Sequence, residues 1–252
     1  MDYTRMFSLE GKKALITGGA TGLGHAIARG YVTLGVDVAI TSRNEERGRE
    51  AAERLGPRAR FFPCDVSDAA AVHFTVAAAH EHLGRIDILV NAAGVFLTGP
   101  AEDLSDAEWH RVMDTNLNGT FFMCRAVGRL MIAQGSGKII NFSSTDAYLG
   151  VPNQPVYCAS KGAVNQLTRV LAVDWIKHGI NVNAIAPCDF DTPMIAPYLD
   201  TEEYRTWILD ALPVGRVGQP PEIVGAAVYL ASDAASMVVG HTLMVDGGRT
   251  VI

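Results

Sequence analysis

Nothing in this chain supplies a long apolar run. Its hydrophobic stretches are strand-sized and none approaches the ~20 residues a bilayer-spanning helix needs. The opening MDYTRMFSLEGKK lacks the apolar centre of a secretory signal. Cysteine is scarce: Cys64, Cys124, Cys158 and Cys188 stand far apart and form no CxxC pair, which suits a reducing compartment and excludes a thiolate zinc cluster. His80 and His82 are two residues apart in an apparent helix and so face different ways, and no metal site is expected. Positive charge is also short. The 21 Lys and Arg against 27 Asp and Glu leave a net charge of −6, which argues against nucleic acid and anionic membranes as partners. No internal repeat, low-complexity tract or linker divides the chain. The expectation is a soluble cytoplasmic protein whose 252 residues, 48% of them apolar, form one core and one domain, 1–252.

What is present alternates. Strand-like runs recur at 14–17, 38–41, 60–63, 88–91, 139–142, 181–184 and 242–245. Helical patterns fall between them at 25–34, 45–55, 69–83, 105–133, 156–177 and 221–231. Apolar strands alternating with helices predict an α/β fold, a doubly wound, Rossmann-type parallel sheet of seven strands. The irregular stretch 188–215, with a short helix expected over 202–212, lies beyond a strand end and reads as a lid over a site.

Two motifs carry chemistry. The first strand runs into Gly18-Gly-Ala-Thr21-Gly22-Leu23-Gly24, and a helix follows. Glycines let the backbone turn sharply and approach a pyrophosphate, which then rests on the free N–H groups of the helix N-terminus. The spacing is T-G-x-x-x-G-x-G, not the G-x-G-x-x-G of the standard dinucleotide fingerprint. The second motif is Tyr157 and Lys161, one helical turn apart, with Ser144 thirteen residues before the tyrosine. A phenol titrates near ~10 and needs roughly 4 kcal/mol of stabilisation to become a base near neutrality. An ammonium about 4 Å away at an effective dielectric near 20 supplies that much, so the spacing predicts a Tyr157 acidified by Lys161.

Together with Asn91-Ala92-Ala93-Gly94, Asn116, Asn183-Ala-Ile-Ala-Pro187 and Val245-Asp-Gly-Gly248, these residues resemble the short-chain dehydrogenase/reductase family over nearly the whole chain. The stretches MFSLEGKKALITGG and GKIINFSS resemble its sugar-acid and polyol branch; a 3-oxoacyl reductase-like branch is the alternative, although the basic residues that would hold an acyl carrier protein match weakly at 133–135 and 177–178. The resemblance implies an NAD(P)-dependent oxidoreductase that interconverts a secondary alcohol and a ketone by hydride transfer. Its catalytic residues would be Asn116, Ser144, Tyr157 and Lys161. Tyr157 would exchange the proton, Ser144 would hold the substrate oxygen, and Asn116 would hold a water linking Lys161 to solvent. A non-catalytic nucleotide-binding redox sensor is the rival from another class, and the intact Ser144, Tyr157 and Lys161 argue against it.

The same resemblance assigns cofactor contacts. Gly18, Thr21, Gly22, Leu23 and Gly24 would hold the pyrophosphate, and Asp65 and Val66 would meet the adenine. Asn91, Ala92 and Gly94 would line the ribose, while Tyr157, Lys161, Pro187, Phe190 and Thr192 would surround the nicotinamide half. After the second strand come Ser42 and Arg43, with no acidic residue to bind both ribose hydroxyls. The guanidinium of Arg43 suits a 2′-phosphate, so NADP(H) is favoured, with NAD(H) the alternative. Cys188 stands where the family usually has glycine, and two readings stay open there: a small hydrophobe, or a thiol sensing oxidation. The expected pocket wall is Phe96, Asp146, Tyr148, Leu149, Gln154, Asp189, Phe190, Met194, Ile195, Tyr198 and Trp207. No arginine is expected to face a substrate carboxylate there, which favours a neutral sugar, polyol or small ketone. A homotetramer, a dimer of dimers, is what the resemblance implies for assembly.

Overall fold

The computed structural model describes residues 3–252. Seven parallel strands form one sheet: β1 (Lys13–Thr17), β2 (Asp37–Ser42), β3 (Ala59–Pro63), β4 (Ile88–Asn91), β5 (Gly137–Phe142), β6 (Ile180–Pro187) and β7 (Thr242–Val245). Their spatial order is β3-β2-β1-β4-β5-β6-β7. The chain winds outward from β1 to β3, then returns to place β4 on the other side of β1. Register fixes the junction: Thr17 stands opposite Thr41 of β2 and opposite Asn91 of β4.

The helices are α1 (Gly22–Thr33), α2 (Glu45–Leu55), α3 (Ala69–Leu83), α4 (Asp106–Met113), α5 (Gly119–Gln134), α6 (Pro155–Trp175), α7 (Ala196–Leu199), α8 (Glu202–Asp210) and α9 (Val224–Ala231). Alternation along each strand divides the core into two layers. Ile16, Ile40, Val90 and Ile140 pack against Ile27 and Tyr31 of α1 and Leu230 of α9. Their neighbours Leu15, Ala39, Leu89 and Ile139 face Val76 of α3, Met123 and Val127 of α5 and Leu171 of α6. All eight residues of β6 are buried, which is why its sequence is continuously apolar apart from Asn181 and Asn183. Both asparagines donate to the Val238 carbonyl, so their polarity is satisfied inside the layer.

The helix expected over 105–133 is interrupted. α4 begins on a Ser105–Glu108 capping box, and a single π turn, Asp114–Asn118, separates it from α5. The cause is Asn116. Its amide Oδ1 accepts from the Val95 N–H at 2.8 Å and its Nδ2 donates to the Val95 carbonyl at 3.0 Å, which ties the helix to the segment after β4. One extra residue in that turn accommodates the tie. In the 188–215 segment the structure adds α7 to the expected short helix, which ends at Asp210. An isolated bridge pairs Phe190 with Gly218 at the base of the segment. No described helix is long and apolar enough to cross a membrane.

Candidate active site

The strand order reverses between β1 and β4, and there the turns after both strands part to leave a crevice at the carboxyl ends. The glycine turn 18–24 forms one wall. Gly18 has φ +66°, and a side chain on it would come within 2.9 Å of the Ala92 carbonyl. A Cβ on Gly24 would lie 2.5 Å from the Gly18 carbonyl. Only glycine permits the turn and α1 to approach so closely. Thr21 caps α1 without a side-chain hydrogen bond, so the first N–H groups of this twelve-residue helix face the crevice. The cavity here measures about 310 Å³.

Most of the sequence-expected contacts meet in this cavity: Gly18, Thr21, Gly22, Leu23, Gly24, Ser42, Arg43, Val66, Ala92, Gly94, Tyr157, Lys161, Pro187 and Thr192. Three do not. Asp65 turns its carboxylate onto the amide and hydroxyl of Ser67, so Cys64 and Val66 form the wall beside it. Asn91 is buried in the sheet and donates to Asn141 at 2.9 Å. Phe190 is packed in the core against Gly218 and borders the neighbouring cavity instead. Among the lining residues that the sequence did not single out is a charged one, Arg47, on the first turn of α2, which reaches the cavity with Arg43. Its place three residues after the N-cap Asn44, on the turn that follows β2, was the available signal. The donor set fits a phosphorylated dinucleotide, with amides for the pyrophosphate and two guanidinium groups, one just after β2 and one on the first turn of α2.

Tyr157 and Lys161 lie on α6 and Ser144 follows β5. Phe96 packs edge-on against the Tyr157 ring at 4.9 Å and fixes its tilt. Ser144 holds its Oγ in place by accepting from the Asp146 N–H at 3.1 Å. The Lys161 ammonium donates to the Phe142 carbonyl at 2.8 Å and stands 5.7 Å from the centre of the Tyr157 ring. The expected acidification of Tyr157 is absent in the protein alone. Burial pushes the phenol above its ordinary value, the Asp146 charge adds to this, and the Ser144 hydrogen bond only partly opposes them. Burial also draws Lys161 down to about 8. At neutral pH the pair is therefore a phenol beside an ammonium, a proton donor backed by a cation. Asn116 makes no hydrogen bond to Lys161; its amide is taken by Val95 and by the Ser160 hydroxyl at 3.1 Å.

A second, narrower cavity of about 80 Å³ opens beyond Tyr157 and shares Leu23, Pro187, Thr192 and Met194 with the first. Phe96, Asp146, Gln154, Asp189, Phe190, Met194, Ile195 and Trp207 line it as expected, while Tyr148, Leu149 and Tyr198 do not. Tyr198 instead supports Phe96 from behind, with ring centres 5.1 Å apart. Burial raises Asp146 to about 6 and also raises Asp189, whose carboxylate accepts from the Tyr204 hydroxyl at 2.8 Å. The expectation that no arginine faces this wall fails, because Arg249 lines the cavity under the Trp207 ring. Its position so near the end of the chain hid it: only the parallel addition of β7 brings that end back to the site. Arg205, on α8, lies in a separate open groove with Asp200 and Glu202. Cys188 adopts an ordinary φ, since among the described residues Asn153 alone has a positive φ without being glycine. Burial pushes its thiol up to about 12, which makes it an unreactive small hydrophobe.

Comparison with known proteins agrees with this geometry. A family model described as enoyl-(acyl carrier protein) reductase matches residues 18–250. The chain is 42% identical to the gluconate 5-dehydrogenase of Gluconobacter oxydans, over 100% of this chain and 99% of that one. It is also 42% identical to the D-threitol dehydrogenase of Mycolicibacterium smegmatis, covering 97% and 95% of the two chains. Among solved structures, a gluconate 5-dehydrogenase from Burkholderia cenocepacia in complex with NADP and tartrate superposes with a TM-score of 0.95 at 40% identity, covering 99% of each chain.

Proposed function

The chain belongs to the short-chain dehydrogenase/reductase family and is an NAD(P)-dependent oxidoreductase that interconverts a secondary alcohol and a ketone; we propose that NADP(H) is its cofactor and a polyhydroxy compound, a sugar, polyol or sugar acid, its substrate. The observation that carries this reading is the meeting of Ser144, Tyr157 and Lys161 where the large cavity joins the small one. Bound nicotinamide would supply or accept the hydride. The protein's own residues do the rest. Ser144 holds the substrate oxygen by a hydrogen bond, and Tyr157 gives that oxygen a proton during reduction and takes it back during oxidation. Lys161 keeps a positive charge beside the phenol, so that the phenolate left after proton transfer has a counter-charge. Asn116 positions this face by holding Val95 and Ser160.

Arg43 and Arg47 support NADP(H), because two guanidinium groups lining the cavity beyond β2 suit a 2′-phosphate. Asp146, Gln154 and Asp189 support a substrate rich in hydroxyls, and their polarity disfavours an acyl chain. The relatives named for gluconate and threitol fall in the same chemical range. The 188–215 segment would act as the lid, stiffened by the ring contacts of Tyr198, Tyr204 and Trp207. We assign the protein to the cytoplasm, and to a homotetramer whose dimer face includes the exposed Val170 and Val173 of α6. The test is a spectrophotometric screen at 340 nm of sugars, polyols and aldonates with each nicotinamide cofactor. At least one should be turned over preferentially with NADP(H), and Tyr157→Phe should lower that rate by about a hundredfold to ten-thousandfold. Turnover indifferent to the lost hydroxyl would refute the assigned chemistry.

A further inference from the structure

We infer that Arg249 is the residue that sets substrate class here, receiving the carboxylate of a polyhydroxy acid whose reacting carbon lies at Ser144 and Tyr157. The inference rests on the oxidoreductase reading and narrows it from polyhydroxy compounds to hydroxy acids.

Arg249 is only 6% exposed, yet its Nε and Nη1 atoms have no hydrogen-bond partner. The Trp207 ring covers the guanidinium at 5.0 Å, a contact that offsets the charge but accepts no N–H. Asp146 and Asp189 share the cavity, and neither forms an ion pair with Arg249. Asp189 is engaged by the Tyr204 hydroxyl and Asp146 by Thr145. A buried cation left with free donors in a cavity is poised for an anion from outside. The acceptor side is present too. Gln154 is 4% exposed and its Oε1 has no partner, which suits a substrate hydroxyl. Of the five buried side-chain polar atoms without partners among the described residues, three line this one cavity. Two donors on a cation and one neutral acceptor match a carboxylate at one end and a hydroxyl along the chain.

The arginine is also built in rather than incidental. Asp246 accepts from the amides of Gly248 and Thr250 and from the Thr250 hydroxyl at 2.6 Å, which closes the turn after β7. Gly247 and Gly248 have φ +59° and +93°, and side chains on them would strike Val214 and Pro213. The turn thereby packs against Pro213 and Val214 at the end of the 188–215 segment, and Arg249, directly after it, enters the cavity.

The experiment compares the wild type with Arg249→Gln and Arg249→Lys, using D-gluconate and sorbitol as substrates with NADP⁺. For Arg249→Gln, kcat/KM on D-gluconate should fall about tenfold to a hundredfold further than on sorbitol, the size of a lost hydrogen bond to charge, and the loss should appear in KM. Arg249→Lys, which keeps the charge, should recover part of it. In parallel, D-gluconate added with NADP⁺ should raise the melting temperature of the wild type but not of Arg249→Gln, a readout that needs no turnover. Equal losses on the two compounds, or equal stabilisation of both proteins, would overturn the role of Arg249 and leave the reaction class standing. A wild type that binds D-gluconate through Arg249 but oxidises neither compound would keep the role and overturn the proposed reaction.

Discussion

Lys161→Met should make the folded protein lose a pH dependence that the wild type carries. Burial draws the Lys161 ammonium from its ordinary 10.5 to about 8. At about 1.4 kcal/mol per pKa unit, keeping it charged costs the folded state about 3 kcal/mol at pH 7. The sign follows from proton counting. Between pH 8 and 10.5 the unfolded chain holds the proton that the folded chain has released, so stability rises with pH across that window. The penalty is full below the folded value and fades as pH approaches the unfolded one. From pH 7 to 9.5 the relief amounts to about 2 kcal/mol. Methionine has nothing to titrate, and the Phe142 carbonyl it leaves without the ammonium adds an offset that does not vary with pH. Urea unfolding of both proteins at pH 7 and 9.5 measures the difference. The wild type should gain about 2 kcal/mol relative to the variant. A difference that stays constant with pH would refute the argument that burial outweighs the Asp146 charge and lowers this lysine, and a falling one would reverse its sign. Retaining so costly a charge in the fold is itself a sign that the site uses it.

Arg43→Ala and Arg47→Ala should each weaken NADP(H) binding about tenfold or more while leaving NAD(H) nearly unchanged, measured by quenching of protein fluorescence; equal losses on both cofactors would remove the 2′-phosphate assignment. Gly24→Ala places a methyl group 2.5 Å from the Gly18 carbonyl, so it should lower both the melting temperature and cofactor affinity, whereas Gly56→Ala, with open space around it and no cofactor nearby, should leave affinity intact even though its φ of +90° strains the fold. Calorimetric melts with and without NADP⁺ separate the two effects.

Much of this protein is legible along its chain. Alternating strand and helix patterns suffice for a doubly wound sheet, because parallel strands buried on both faces must be continuously apolar and each crossover needs a helix. Tyr157 and Lys161 share a helical face by spacing alone, and the glycine turn declares itself by sitting between a strand and α1. Three things were decided only by the tertiary structure. Whether the phenol is acidified depends on competition between burial and charge, and burial depends on atoms such as those of Phe96 and Tyr198 that are distant in sequence. The break between α4 and α5 depends on where Asn116 finds partners, and Val95 is twenty-one residues away. Arg249 reaches the cavity because β7 pairs with β6 and a clamped turn points it inward. Periodicity encodes which face a residue takes on its own element; which charges meet across elements is settled by how those elements pack.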